Sequence, residues 1–246
     1  MLPCPRKNKR ITGKTDMRIT SIKKENSRKI RFAIDGKPDF FLNVGELREN
    51  GQYARVVGLL GPDGKAEELD IELSDSLFER IKKEIILPRG KRYALSLLAD
   101  RDYTEKKLRD KLRETGYSED DREVIIDFLK DKNFLDDLRF AKSYIRLAIK
   151  TKSRRYICGK LFEKGVSDDT VKQAFEETET EFADTGINSE ELKFAALDRQ
   201  IEKVLGRTAA DDRDSLTKAI QSLMRKGFHY SEIKQRIENY YKTEQE

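Results

Sequence analysis

Three stretches of this 246-residue chain repeat one another, and that repetition limits the folds open to it more than any other property. Arg92-Tyr93-Ala94, Arg139-Phe140-Ala141 and Lys193-Phe194-Ala195 read as the same helix start, and Leu138 and Leu192 extend the match in the last two. Downstream of each lies a leucine four residues ahead of a glycine, with an apolar residue next: Leu112…Gly116-Tyr117, Leu161…Gly165-Val166 and Leu223…Gly227-Phe228. Glycine in that place closes a helix in the left-handed conformation, and the following residue folds back onto the last turn. The third copy is longer between these landmarks, which places an insertion near Thr208 to Asp214.

A further helix start follows each glycine. Ser118, Ser167 and Ser231 are the expected caps, with Glu119, Asp120, Asp168, Asp169 and Glu232 in the first turns, where acids complement the positive helix end. Thr104 caps the second helix of the first copy, flanked by Tyr103 and Leu108 in a staple arrangement. Each copy is therefore helix, loop, helix, glycine turn, helix. A unit of about 50 residues is marginal alone, and stacking on neighbours supplies the missing core.

Ahead of the repeats the period is two. Ile19 and Ile22 share one run; Ile30, Phe32 and Ile34 alternate with Lys29, Arg31 and Ala33; Asp35-Gly36 makes a hairpin turn; and Phe40 to Val44 returns. Tyr53 to Leu60 reads as another strand before the turn Gly61-Pro62-Asp63-Gly64. Helical period resumes at the cap Ser74 through Leu77, Phe78, Ile81 and Ile85, and Pro88-Arg89-Gly90 is expected to end that helix. The expected fold is mainly α, with three tandem three-helix repeats in an elongated curved array behind a small N-terminal β segment. The domain boundaries are a flexible basic tail at 1–16, a β unit at 17–73, a connecting helix and first repeat at 74–134, and further repeats at 135–182 and 188–244.

Charged residues make up 39% of the chain and hydrophobic ones 37%, which suits thin helical layers with long solvated faces. Cys4 and Cys158 lie too far apart in different contexts to suggest a disulfide framework or a cysteine metal site. No apolar run approaches the roughly 20 residues of a membrane span, and Met1 to Lys7 lacks an apolar core. A soluble, cytoplasmic monomer without membrane contact is expected.

Residues suited to catalysis are few. His229 is the chain's one histidine and sits in a glycine turn. Gly58…Gly64-Lys65 misses the phosphate-loop spacing by one residue, with Ala66 where a hydroxyl would hold magnesium. Asp120-Asp121 and Asp136-Asp137 fall at helix starts, where they already have a structural task. No catalytic residue, metal ligand or cofactor is assigned, and no enzymatic activity is expected.

The basic residues are another matter. Between Leu138 and Phe162 stand Arg139, Lys142, Arg146, Lys150, Lys152, Arg154, Arg155 and Lys160, with no acid among them. At 100° per residue, Arg139, Lys142, Arg146 and Lys150 share one helix face, while Phe140, Ala141, Tyr144, Ile145, Leu147 and Ala148 cover the opposite arc. Like charges at this spacing repel, so an acidic partner is expected against the stripe. The first copy has a second, mixed-sign region in Lys106, Lys107, Arg109, Lys111 and Arg113, from which Lys107 and Lys111 join the candidate surface. With Phe140 and Tyr144 turned to the core, a dedicated single-strand stacking platform is not expected. The alternative reading is a direct nucleic-acid-binding protein with no further partner.

These residues resemble the RecX family of recombination regulators. The likeness rests on Ala94-Leu95-Ser96-Leu97-Leu98-Ala99-Asp100-Arg101, on Thr104-Glu105-Lys106-Lys107-Leu108-Arg109…Leu112, on Asp136-Asp137-Leu138-Arg139-Phe140-Ala141, and on Leu161-Phe162-Glu163-Lys164-Gly165-Val166. Ser153 stands where that family often has glycine, and Lys160 where it often has an acid. The resemblance implies a non-catalytic protein that binds the RecA recombinase filament on single-stranded DNA and restrains strand exchange and ATP hydrolysis. It also implies weak contact with single- and double-stranded DNA.

Overall fold

The computed structural model describes residues 17–35, 37–186, 189–205 and 213–243. The expected basic tail, Gly36 of the hairpin and most of the third-copy insertion lie outside the described residues. The chain divides into two compact units, one formed by residues 1–93 and 112–125, the other by 94–111 and 126–246.

In the first unit five strands form an antiparallel sheet. β1 (Met17–Lys24), β2 (Lys29–Ile34) and β3 (Lys37–Asn43) make the meander that the alternation predicts, and β4 (Lys65–Ala66) and β5 (Ile71–Leu73) both pair with β1. Period-two spacing puts Ile30 and Phe32 of β2 beside Leu42 and Phe40 of β3, with the two phenyl rings stacked at 4.9 Å. Phe40 also meets Phe78, 5.5 Å away. On the other face Phe41 lies between two cations, Lys29 Nζ and the Arg89 guanidinium, each 3.9 Å from its ring centroid.

Two expectations fail in this unit. Tyr53 to Leu60 is no strand but a helix, α2 (Tyr53–Leu59), which follows the short α1 (Val44–Glu49). None of the α2 side chains is buried, so its β-branched pair Val56-Val57 fills no core position whose period would mark it as helical. Pro88-Arg89-Gly90 does not end a helix either. α3 (Asp75–Ile81), capped by Ser74, runs into a π-helical turn at Lys82–Ile86 and on into α4 (Leu87–Asp100). Proline inside a regular α-helix strikes the carbonyl four residues back; the wide turn just before Pro88 shifts that register and the helix continues. Gly90 answers to packing instead: a Cβ there would stand 3.0 Å from Tyr117 Cε1 and closer still to Ile125.

The repeats follow as read. The first comprises α4, α5 (Glu105–Thr115) and α6 (Glu119–Asp131); the second α7 (Asp137–Ala148), α8 (Arg154–Glu163) and α9 (Asp168–Asp184); the third α10 (Ser189–Leu205), α11 (Arg213–Arg225) and α12 (Tyr230–Thr243). All three glycine turns have positive φ, and in each the following amide donates to the leucine carbonyl: Tyr117 to Leu112 (3.1 Å), Val166 to Leu161 (3.1 Å) and Phe228 to Leu223 (3.3 Å). Ser118 and Ser167 accept from the amides of Asp121 and Thr170 at 3.2 Å each, as caps should. Ser231 does not cap; α12 starts one residue earlier, and the His229 amide donates to Glu232. The third copy is also offset at its first helix. Ala94 and Ala141 are buried, whereas Ala195 is exposed and Ala196 takes the buried place. A short match across a helix start cannot fix the helix phase when an insertion follows.

Successive repeats in the second unit join by one device. The Thr104 hydroxyl, 1% exposed at the start of α5, donates to the Lys164 carbonyl at 2.5 Å, just before the Gly165 turn. Ser153 caps α8 by accepting from the Tyr156 amide, and its hydroxyl donates to the Lys226 carbonyl at 2.6 Å, just before the Gly227 turn. Two residues past each cap a long side chain lies over the glycine: a Cβ on Gly165 would stand 2.8 Å from Lys106 Cγ, and one on Gly227 3.0 Å from Arg155 Cβ.

Candidate functional site

The second repeat carries the basic stripe on α7 and α8, and α9 packs across α7 with Ala141, Ile145, Val171, Ala174 and Phe175 buried in a shared core. That packing decides what the stripe can do. α9 presents Glu177 and Glu181 on one flank of the buried Thr178 and Glu179 on the other, all three partly exposed. Lys142 pairs with Glu177 at 2.7 Å and Glu181 at 2.8 Å, Arg146 also pairs with Glu181, and Arg154 reaches Glu179 at 2.9 Å while its guanidinium lies 4.1 Å over the Phe175 ring. The expected acidic counterpart thus includes this protein's own third helix. Hydrogen bonding to Lys142 holds the Glu177 carboxyl below the usual carboxylate range. Glu181 is lowered first by Arg146 and then by Lys142, and Lys142 itself is raised by the two glutamates.

The other candidates are placed differently. Arg139 spends its guanidinium on the Asn133 and Phe134 carbonyls, 3.1 and 3.3 Å away. Lys160 pairs with Glu163 at 2.6 Å. Lys150, Lys152 and Arg155 are exposed and have no carboxylate partner among the described residues. Lys107 is exposed and Lys111 half-buried, both on α5 of the first repeat. Leu147, assigned by angle to the apolar arc, is 81% exposed, since α7 is near its end and nothing covers that side.

The structure brings to Lys152 and Arg155 residues that spacing alone did not join to them. Tyr156 is 39% exposed, with Lys152 Nζ 5.1 Å and Lys160 Nζ 5.9 Å from its ring centroid. Beside it, the glycine turn of the third repeat contributes Met224, Arg225 and Lys226 to a groove of about 390 Å³. The signal available in the sequence was the Lys226-Gly227 pair, equivalent to Lys164-Gly165, once the junction rule is known.

Of the groups weighed as catalytic, Asp136 and Asp137 have structural partners. Asp136 accepts from the Arg139 amide at 2.9 Å, and Asp137 from the Glu105 amide at 2.8 Å. Burial pushes the Asp137 carboxyl up, against the lowering by that amide. Burial likewise raises the Cys158 thiol despite Arg154 nearby, the reverse of what an activated nucleophile needs. Among the described residues no cluster of His, Cys, Asp and Glu is suited to a metal ion, and no helix is long and apolar enough to cross a membrane.

Comparison with known proteins matches all three repeats separately. Residues 91–129 match the first three-helix domain of RecX, 136–174 the second and 190–237 the third, together more than half of the chain. The regulatory protein RecX of Clostridium botulinum (strain Alaska E43 / Type E3) is 35% identical over 133 residues, which cover 53% of this chain and 58% of that one. Its counterpart in Clostridium perfringens (strain 13 / Type A) is 32% identical over 163 residues, 66% of this chain and 71% of the relative. A crystal structure of regulatory protein RecX superposes with a TM-score of 0.55 over 89% of this chain and 99% of that one; at 22% identity it speaks for the fold alone.

Proposed function

Because the chain belongs to the RecX family of regulatory proteins, we propose that it binds the RecA recombinase filament and restrains its DNA-dependent ATP hydrolysis and strand exchange, without chemistry of its own. The single observation that supports this most is that each three-helix repeat separately matches the corresponding RecX domain, in order and along most of the repeat's length. The surface assigned to the work is the part of the second repeat whose cations have no carboxylate partner among the described residues, namely Lys150, Lys152 and Arg155. Lys142, Arg146 and Arg154 are occupied by α9 and have less to offer an outside anion. A cytoplasmic monomer is the setting this reading implies.

Adding the protein to RecA on single-stranded DNA, at equimolar amounts or below, is expected to lower the rate of ATP hydrolysis. Reversing Lys150, Lys152 and Arg155 to Glu should abolish that effect, and reversing Lys142 alone should weaken the fold more than the inhibition. Unchanged ATP hydrolysis with wild-type protein, alongside tight DNA binding at physiological salt, would favour a plain nucleic-acid-binding protein instead.

A further inference from the structure

We infer that the cavity between the β-sheet and helices α1 to α3 is a binding site for a long-chain carboxylate, whose hydrocarbon tail lies on the sheet while Arg55 and Arg80 hold its head at the rim. The space measures about 770 Å³, within the roughly 300–1,000 Å³ of small-molecule sites, and it is lined as such sites are, mostly by apolar side chains with a few polar ones. Its floor is the sheet face that bears Phe32, Phe40 and Leu42, all buried. Val56 and Leu59 of α2 and Leu77 of α3 stand around it. A core packed for its own sake leaves few voids larger than a water molecule.

Two features of this unit are unexplained by folding alone. α2 is seven residues long and buries none of its side chains, and so short a helix is marginal in water without apolar contact. Val56 and Leu59 line the cavity, so a hydrocarbon tail there supplies α2 with the cover that the sheet does not. Leu59, Ile71 and Leu77, 44%, 36% and 40% exposed, are also gathered on this one lining, whereas apolar side chains exposed singly need no explanation. The charges at the rim select the head group. Of the four ionisable side chains in the lining, Glu46 is taken by Arg89 at 2.6 Å, while Arg55 and Arg80 are exposed and have no carboxylate partner among the described residues. Glu84 is the remaining acid, so the free cations are in excess. A guanidinium meets a carboxylate at two points, which an alcohol or an amine does not reproduce. A protein helix with its side chains is about 10–12 Å across, so even two turns exceed this volume, whereas an alkyl chain does not.

This site goes beyond the reading as a RecA regulator and is tested on the full chain without the recombinase. The probe is parinarate, a long-chain carboxylate whose fluorescence rises in an apolar site, with laurate and dodecanol as competitors of equal chain length. Laurate should displace parinarate about tenfold more effectively than dodecanol, as expected for a charge-assisted contact at the head. Arg55→Gln combined with Arg80→Gln should bring laurate to the level of dodecanol and leave dodecanol unchanged. Leu59→Glu, which puts a charge beside the tail at an exposed position, should abolish the binding of all three. Should a variant fail to fold, the amide shifts of the wild-type protein on adding laurate must fall on α2, α3 and the facing strands; shifts elsewhere, or none, overturn the site. No binding of parinarate, or equal competition by laurate and dodecanol, overturns it as well. So does binding to phosphatidylglycerol vesicles without binding of laurate, which would mark a membrane-docking face instead. Inhibition of RecA by wild-type protein that binds no parinarate would sink the carboxylate site and leave the proposed function standing.

Discussion

Replacing Gly165 with alanine should destabilise the second unit by about 2–5 kcal/mol, and the figure follows from the junction geometry. Gly165 has φ +90°, in the left-handed region, where a side chain costs roughly 1–2 kcal/mol. Its new Cβ would also lie 2.8 Å from Lys106 Cγ and nearer to Lys106 Cβ and Cδ. A Cβ cannot rotate away from its own backbone, so relief requires the start of α5 to retreat. Retreat breaks the Thr104–Lys164 hydrogen bond and leaves a buried hydroxyl and carbonyl wanting, worth about 1–3 kcal/mol. Gly116 shares the backbone strain, at φ +101°, but its Cβ would meet only the far ends of the Arg31 and Lys29 side chains, which can shift at the expense of their contacts with Glu25 and the Thr115 carbonyl, so Gly116→Ala should cost less than Gly165→Ala. Gly159, within α8 and open on all sides, should gain roughly 0.5–1 kcal/mol from the same change. Urea unfolding followed by circular dichroism reads all three. Lys106→Ala should not rescue Gly165→Ala, because the obstructing Cβ remains. Equal destabilisation by Gly165→Ala and Gly116→Ala would show that the junction is not tight and would refute the reasoning.

Other expectations follow from the same contacts. Ser153→Ala removes a helix cap and a buried junction hydrogen bond together, and should lower stability by about 1–2 kcal/mol in the same assay, more than Ser167→Ala, which loses the cap and an exposed contact with the Thr170 hydroxyl. The lowered carboxyls of Glu177 and Glu181 contribute stability that is complete above the unfolded value of about 4.3 and is lost as pH falls through their folded values. Raised Lys142 contributes below about 10.4 and loses its share as pH rises through its folded value. Acid-unfolding curves of Lys142→Met should therefore be flatter than wild type between pH 4.3 and the unfolding midpoint; an unchanged slope would count against the α7–α9 network. Oligonucleotide affinity should fall with salt at a slope near −0.7 per phosphate engaged, and each of Lys152→Gln and Arg155→Gln should flatten it by about that amount.

How much of this was legible beforehand depends on the range of the forces involved. Caps and glycine turns are settled within six residues, so Ser118, Ser167, Gly116, Gly165 and Gly227 announced themselves. The helix at Tyr53–Leu59 was hidden because none of its side chains is buried, leaving no periodicity to read. The passage through Pro88 was hidden because the accommodating turn depends on i to i+5 bonding, which spacing rules do not encode. The stripe on α7 was visible as composition, yet its neutralisation was not, since Lys142 and Glu177 are 35 residues apart and meet only when α9 packs. The surroundings of Tyr156 are hidden for the same reason. Nothing near it in sequence reveals that Met224 and Arg225 will stand alongside.

One carbonyl in each repeat, that of the residue before the closing glycine, serves as an acceptor for a side chain from another element. The residue before the closing glycine offers its oxygen to Thr104 in the second repeat and to Ser153 in the third, and in the first repeat the Thr115 oxygen accepts from Lys29 Nζ of β2 at 2.6 Å. The sheet thus imitates, with an ammonium, the hydroxyl that a preceding repeat would have supplied. Such a chain is modular in the way of a zip with a fitted end-stop: the β unit terminates the series at the atom where every further tooth would engage. Repeat number becomes separable from repeat sequence, because a duplicated copy of the second repeat would present to itself the same hydroxyl, carbonyl and glycine that its neighbours already use.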